Sequence, residues 1–226
     1  GRTQTLKDKV VLVTGASTGI GAATARAFME AGAIVYGTSR SPSQKQDGPR
    51  MLVMDQTDEA SVSAAVSEVL AREGRLDILV NNAGTGIAGP ALDTTPGELA
   101  RQLDVNLLGP LRVSRAAISA LIASRGMIIN ISSVAGVIPI PFQSGYSMSK
   151  FALESLSECM RLELKPLGVR VALVQPGDTK TAFTANRVTI GTVSESYRAR
   201  FHASLSRMEK DEQNGAPPES IARVAL

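Results

Sequence analysis

The 226-residue chain is predicted to fold as one doubly wound α/β domain, a parallel, Rossmann-like sheet with helices on both faces. Three observations predict it. Short apolar, β-branched runs alternate with helical stretches; no pair of runs is joined by a hairpin signal; and a glycine-rich turn directly follows the first run. Strands separated by helices, without hairpins, imply right-handed βαβ crossovers and a sheet covered on both sides.

Val10-Val11-Leu12-Val13 is the first strand, apolar at every position as a strand buried on both faces must be. The turn Thr14 to Gly21 follows, then a helix over 22–31 that Gly32 closes. Ile34 to Thr38 reads as strand two, Met51 to Met54 as strand three, 59–73 as a helix and Asp77 to Val80 as strand four. A long helical region covers 96–124, with an irregularity expected at Gly109-Pro110, because proline lacks the N–H and crowds the preceding turn. Met127 to Ile131 is strand five, 146–164 a helix and Val169 to Val174 strand six. From Thr179 to Gly215 no strand signal is visible, but Tyr197, Phe201, Leu205 and Met208 recur at helical spacing. An amphipathic helix there is either a simple core helix or part of a mobile lid over a ligand site, spanning about 184–214. The chain stops at Leu226 within another helical pattern, so the last strand of the sheet is expected to be missing. No composition break divides residues 1–226, which read as a single dinucleotide-binding domain.

Composition narrows the function classes. Hydrophobic residues make up 43% and charged residues 20%, an ordinary globular balance. Net charge is +3 and the pI about 9.2, yet the basic residues are interspersed with acids, so no nucleic-acid partner is expected. The single Cys159 excludes an internal disulfide, fits a reducing compartment and is expected to be a small buried thiol. The only histidine, His202, leaves a Ser-His-acid triad or a histidine metal site almost nothing to draw on, and no metal is expected. No run approaches eighteen apolar residues and no leader segment stands at the start, so the expectation is a cytoplasmic protein without membrane contact.

In an open parallel sheet, ligands bind beyond the carboxyl ends of the strands. Those ends carry the glycine turn, Ser39-Arg40, Asp55, Asn81-Asn82-Ala83-Gly84, Ser132-Ser133 and Pro176-Gly177: small, polar and turn-forming residues along one edge. In the turn, Gly15 permits the tight bend, Gly19 lets the backbone approach a pyrophosphate, and Gly21 allows close helix packing, while the helix N-terminus favours negative charge. The spacing is Gly-x-x-x-Gly-x-Gly. Arg40 bears on the cofactor. A nicotinamide site for NAD places an acid near the end of strand two, whereas an arginine there accommodates the 2′-phosphate of NADP. With Ser39 at the acid position and Arg40 next, NADP(H) is expected, and NAD(H) is the second choice.

Tyr146 and Lys150 share a helix face, thirteen residues after Ser133. An ordinary phenol has a pKa of about 10, and bringing it to neutrality requires about 4 kcal/mol of differential stabilisation. A neighbouring ammonium and a positive nicotinamide could supply that in a water-poor site. Ser133, at the mouth of strand five, could hold the substrate oxygen, while Ser132 is expected to be structural.

Taken in order, Thr14-Gly15-x-x-x-Gly19-x-Gly21, Asn81-Asn82-Ala83-Gly84, Asn106, Ser133, Tyr146-x-x-x-Lys150 and Pro176-Gly177 resemble the single-domain short-chain dehydrogenase/reductase family over about 9–177. The resemblance implies Tyr146 as general acid/base, Lys150 as the group that lowers its pKa and bonds the nicotinamide ribose, and Ser133 as the holder of the substrate oxygen. It further implies that Asn106 holds a water in the relay to Lys150, or alternatively satisfies a helix kink. Asp55 and the stretch Asn82, Ala83 and Gly84 fall on the adenine side, and Ser17, Ile20, Pro176, Gly177 and Thr179 on the cofactor. The stretch from Tyr146 to Ala152, with Thr181-Ala182-Phe183, is more similar to the steroid- and retinoid-acting members. The function so implied is NADP(H)-dependent interconversion of a carbonyl and a secondary alcohol on an apolar substrate, with Val137 to Phe142 and the 197–208 helix lining the pocket. A cofactor-binding sensor or scaffold without chemistry is the rival, and a sugar-nucleotide epimerase or dehydratase a third reading. The family also implies a homodimer or homotetramer formed through helices 96–124 and 146–164.

Overall fold

Alternation along the first strand, β1 (Val10–Val13), divides its side chains between two cores: Val10 and Leu12 enter one, Val11 and Val13 the other. Such a strand needs helices on both faces, and the computed structural model, which describes residues 6–43, 46–181 and 187–226, supplies them. The elements run α1 (Gly19–Glu30), β2 (Ile34–Ser39), β3 (Arg50–Val53), α2 (Glu59–Glu73), β4 (Ile78–Asn81), β5 (Ile87–Ala88), α3 (Pro96–Leu103), α4 (Gly109–Ser124) and β6 (Met127–Ile131). They continue with α5 (Ser144–Leu164), β7 (Arg170–Val174), β8 (Val188–Thr189), α6 (Glu195–Gln213) and α7 (Pro218–Ala225).

Among the described residues the main sheet has six parallel strands in the order β3-β2-β1-β4-β6-β7. The order reverses between β1 and β4, which opens a crevice beyond their carboxyl ends. One core lies under α2, α4 and α5, built on Leu12, Tyr36, Leu79 and Ile128 with Val66, Val113, Leu121 and Leu164. The other lies under α1 and α7, where Phe28, Ala25 and Ala225 meet Val11, Val80 and Ile129. Buried polar groups tie the first core to the sheet: the Asn81 amide donates to Asn130 Oδ1 (2.9 Å) and Ser114 Oγ (3.2 Å), and Asn130 donates to Ser157 Oγ (2.8 Å).

The helical region 96–124 is interrupted, as expected, but the break precedes Gly109-Pro110. Asp104–Leu108 widen into a π-turn, in which the Gly109 N–H reaches back to the Asp104 carbonyl. Pro110 offers no N–H to the carbonyl of Asn106, so the ladder loosens one turn before the proline. By length and hydropathy this run could cross a membrane. In the fold it flanks the sheet instead, packing on α2 and β4, with Arg112 paired to Asp104 at 2.6 Å.

Two expectations are corrected, and a third is met. The 179–215 stretch does contain a strand: β8 pairs with β5 in parallel, Val188 N–H to Gly86 O and Ile190 N–H to Ala88 O. Two residues held by a tertiary partner leave no periodicity to read. Cys159 is exposed, because Ser157 takes the inward position two residues earlier on α5. The 197–208 pattern is a real helix, α6, with Phe201 as its buried anchor; residues 184–186 of the expected lid lie outside the described residues.

Asp77 closes the amino edge of the sheet. Its buried carboxylate accepts from Arg75 (2.6 and 2.9 Å) and from the Val10 N–H (2.9 Å), with Lys9 at 3.6 Å. Burial by itself would raise its pKa, but Arg75, the Val10 amide and Lys9 outweigh burial and hold it below the ordinary aspartate value. A lowered folded-state pKa means this stabilisation is complete above the unfolded value and drains as pH falls through the folded one. Asp77→Asn should cost about 1–3 kcal/mol at neutral pH and less in acid, checked by urea unfolding across pH 2–7.

Candidate active site

At the crevice between β1 and β4 lies a cavity of about 470 Å³. Its floor is the glycine turn. Gly15 sits at φ +62°, and a Cβ there would come within 2.9 Å of the Ala83 backbone, so both the conformation and the close approach demand glycine. A Cβ on Gly21 would lie 2.1 Å from the Gly15 carbonyl oxygen and 2.4 Å from Asn82 Nδ2. Gly21 therefore lets the start of α1 pack directly onto the turn and onto Asn82. Asn82 is the clasp: its amide donates to the Thr14 and Gly15 carbonyls, both at 3.1 Å, while its own N–H and that of Ala83 donate to Thr14 Oγ1 at 3.0 Å.

The helix that rises from this turn starts bare. Thr18 at the α1 cap makes no side-chain bond, and no acid sits in the first turn. By contrast, Asp58 caps α2, and Thr95 with Glu98 forms a capping box on α3. Uncapped N–H groups facing a cavity favour an anion such as a pyrophosphate. Ser17, Gly19 and Ile20 line the cavity on this side, as do Ala83 and Gly84 from the β4 end. Pro176, Gly177 and Thr179 line it beyond β7.

Ser39 and the exposed Arg40 line the cavity at the end of β2. Asp55 does not line it: Thr57 N–H and Oγ1 hold the carboxylate at 2.9 and 2.7 Å, and these bonds, with Arg40 and Arg112 adding charge, lower its pKa. Asp55 thus stays outside the cavity wall.

Ser133, Tyr146 and Lys150 converge at the opposite end. Ser133 caps a short 3₁₀ turn after β6, its Oγ accepting from the Ala135 N–H at 3.1 Å, and it faces the Tyr146 phenol closely enough to draw down its pKa. Burial raises the phenol pKa, Ser133 draws it down, Glu212 raises it and Arg187 lowers it. Lys150 is fully enclosed; its Nζ donates to the Ile131 carbonyl at 2.9 Å and lies 5.7 Å from the Tyr146 ring centre. Burial pushes the ammonium down to about 8, against the pull of Glu154 one turn along α5. Ser132 is buried and also contributes to the cavity lining.

Asn106 does not reach the cavity. It sits in the π-turn, 1% exposed, with its amide donating to the Thr85 carbonyl (2.9 Å) and Ser149 Oγ (3.1 Å) and accepting from the Thr85 N–H (2.9 Å). Its side chain clamps the Thr85 loop to α5, with none of these bonds made to the loosened helix backbone. The apolar wall also differs from expectation: of Val137 to Phe142 only Ile140 lines the cavity, while Val137 and Ile138 face solvent. Phe142, at φ +62°, meets Phe201 edge to face, with ring centres 5.6 Å apart.

Gln143, Met208, Asp178 and Glu212 also line the cavity and were not singled out as polar site residues from sequence. Only Met208 carried a signal, its place on the α6 stripe. Gln143 donates its amide to the Met208 sulfur, and Glu212 pairs with the buried Arg187.

The sequence profile described as short chain dehydrogenase matches residues 9–189. The chain belongs to the short-chain dehydrogenase/reductase family. A 3-ketodihydrosphingosine reductase from Bacteroides thetaiotaomicron is 44% identical over 96% of this chain and 81% of its own length. A short-chain dehydrogenase from Streptomyces avermitilis superimposes with a TM-score of 0.86 at 33% identity, over 96% of this chain and 83% of that one. A metagenomic short-chain oxidoreductase in complex with NADP gives 0.72 at 38% identity, over 78% and 86%. The protein is accordingly an NAD(P)-dependent oxidoreductase; solved members hold NADH in some cases and NADP in others.

Gly21→Ala should force the turn open. The expected result is a loss of about 1–3 kcal/mol in thermal unfolding, together with weakened coenzyme affinity in a fluorescence titration.

Proposed function

We propose that the protein reduces a carbonyl on a largely apolar substrate with NADP(H), Tyr146 acting as general acid/base. The observation that carries this reading is the convergence of Ser133, the Tyr146 phenol and the buried Lys150 ammonium, 5.7 Å from the phenol ring centre, on the wall of a cavity floored by a phosphate-ready turn.

The residues fit a nicotinamide dinucleotide. The bare start of α1 and the cradle of Gly15 and Ala83 would hold the pyrophosphate, and Lys150 the ribose next to the nicotinamide. When bound, the coenzyme supplies the hydride. The chain supplies the rest: Ser133 Oγ holds the carbonyl oxygen, Tyr146 delivers its phenol proton to that oxygen, and Lys150 stabilises the phenolate left behind. Ser133 and the Arg187 charge oppose the burial that raises the phenol pKa. Asn106, outside the cavity, positions Thr85 and Ser149.

Arg40 supports NADP(H), because an exposed guanidinium at the mouth, with Ser39 in place of an acid, suits a 2′-phosphate. Ile140, Val134 and Met208 support an apolar substrate, with 3-ketodihydrosphingosine, a long-chain amino ketone named for the relative, the first to assay. Helix α6 would serve as the lid, since Phe201 anchors it over Phe142. Exposed Met148, Phe151 and Leu162 on α5 support assembly into two or four copies.

Tyr146→Phe should lower kcat at least about 1,000-fold while leaving the NADPH dissociation constant within about twofold, by stopped-flow and fluorescence; unchanged turnover would refute the acid role. Arg40→Ser should raise the KM for NADPH about tenfold or more and barely move that for NADH. Reduction needs the Lys150 cation, so kcat/KM should fall as pH rises through about 8, and Glu154→Gln should move that limb to lower pH.

A further inference from the structure

We propose that Gln56 is a positioning residue for the coenzyme: its side-chain amide fixes the Ala83 peptide against the glycine turn and so sets how tightly the dinucleotide is held, without touching it. The inference rests on the coenzyme placement in the reading above and is independent of the substrate.

Gln56 follows the end of β3, is 7% exposed and does not line the cavity. A buried primary amide is costly unless its N–H groups find acceptors, and here both do. Nε2 donates to the Ala83 carbonyl at 3.1 Å and to the Val105 carbonyl at 2.9 Å. The second acceptor exists because of the π-turn. There the Gly109 N–H reaches the Asp104 carbonyl, and Pro110, next in line, has no N–H, so the Val105 carbonyl takes its donor from Gln56. Gly109 is the seat for that side chain: a Cβ on it would stand 2.7 Å from Gln56 Cδ and 2.8 Å from Cγ. The backbone of Gln56 is fastened as well. Its carbonyl accepts from Arg112 at 3.1 Å, and Arg112 pairs with Asp104 at 2.6 Å.

Ala83 is where this anchorage meets the coenzyme site. Its N–H donates to Thr14 Oγ1 at 3.0 Å, so Thr14 holds one side of the residue and Gln56 the other. Ala83 lines the cavity, and its Cα lies against Gly15, where even a Cβ would come within 2.9 Å. A residue packed this tightly cannot shift without moving the turn that is to receive the pyrophosphate. Deprived of Gln56, the Ala83 carbonyl would be left unpaired, and the floor would relax toward another donor. That floor serves the half common to both coenzymes, so Gln56 acts on NADPH and NADH alike, whereas Arg40 separates them.

The test is a fluorescence titration of the folded protein with NADPH and with NADH. Gln56→Met keeps the length of the side chain and removes both donors; it should raise the two dissociation constants about tenfold and by equal factors. Gly109→Ala keeps Gln56 but displaces it, and should weaken both coenzymes in the same direction; if Gln56→Met fails to fold, this variant carries the test. Gln56→Ala leaves room for the new Cβ, so Gln56→Ala/Gly109→Ala should bind no more weakly than Gln56→Ala alone. A part that is only structural would lower the melting temperature and leave both dissociation constants unchanged. That result overturns the proposal, as do effects that multiply in the double variant or a loss confined to NADPH. Gly21→Ala reports on the placement separately. If it weakens coenzyme binding and the Gln56 variants do not, the placement stands and the role of Gln56 falls; if neither weakens binding, both fall.

Discussion

The buried ammonium of Lys150 constrains this molecule more than any other single group. A cation enclosed by protein is costly unless it is hydrogen-bonded, and the partner here is the Ile131 carbonyl at the carboxyl end of β6. That bond registers α5 against the sheet. Once Lys150 is placed, Tyr146 one turn earlier must stand on the cavity wall, within reach of Ser133, which leaves the same strand two residues later. Burial also brings the ammonium down to about 8.

A second fastening holds the other half of the crevice. Asn82 joins the end of β4 to the turn after β1 with bonds to Thr14 and Gly15, and Gly21 leaves space for them. The two fastenings flank the point where strand order reverses, the one place where an open parallel sheet exposes backbone ends to a ligand. Behind them, the Asn81, Asn130, Ser114 and Ser157 bonds keep α4 and α5 from sliding on the sheet. Polar groups that look like site residues from their place at strand ends thus divide into those that hold the frame and those that face the cavity.

Much of this was legible beforehand, for local reasons. Val10 to Val13 and Met127 to Ile131 declare themselves as buried strands by composition, and Tyr146, Lys150 and Ser133 by their spacing after a strand. What misled was equally local. Cys159 lies two residues from the inward Ser157, an offset that a helical count of apolar positions blurs. Asn106 and Asp55 sit at motif positions, yet neighbours consume their side chains: Thr85 and Ser149 in one case, Thr57 in the other. Strand β8 exists only because β5 lies beside it.

The alternation of strands and helices, the glycine turn and the Ser133, Tyr146 and Lys150 set can be read from the chain directly, because each depends on residues close together in it. Only the tertiary structure decided that Gln143, Met208 and Glu212 share the cavity with Tyr146, and that Arg187 stands behind Glu212. Those pairings join α6 to the start of α5 across 65 residues of chain, as between Gln143 and Met208. Packing of one element on another sets such contacts, and no periodicity along the sequence encodes them.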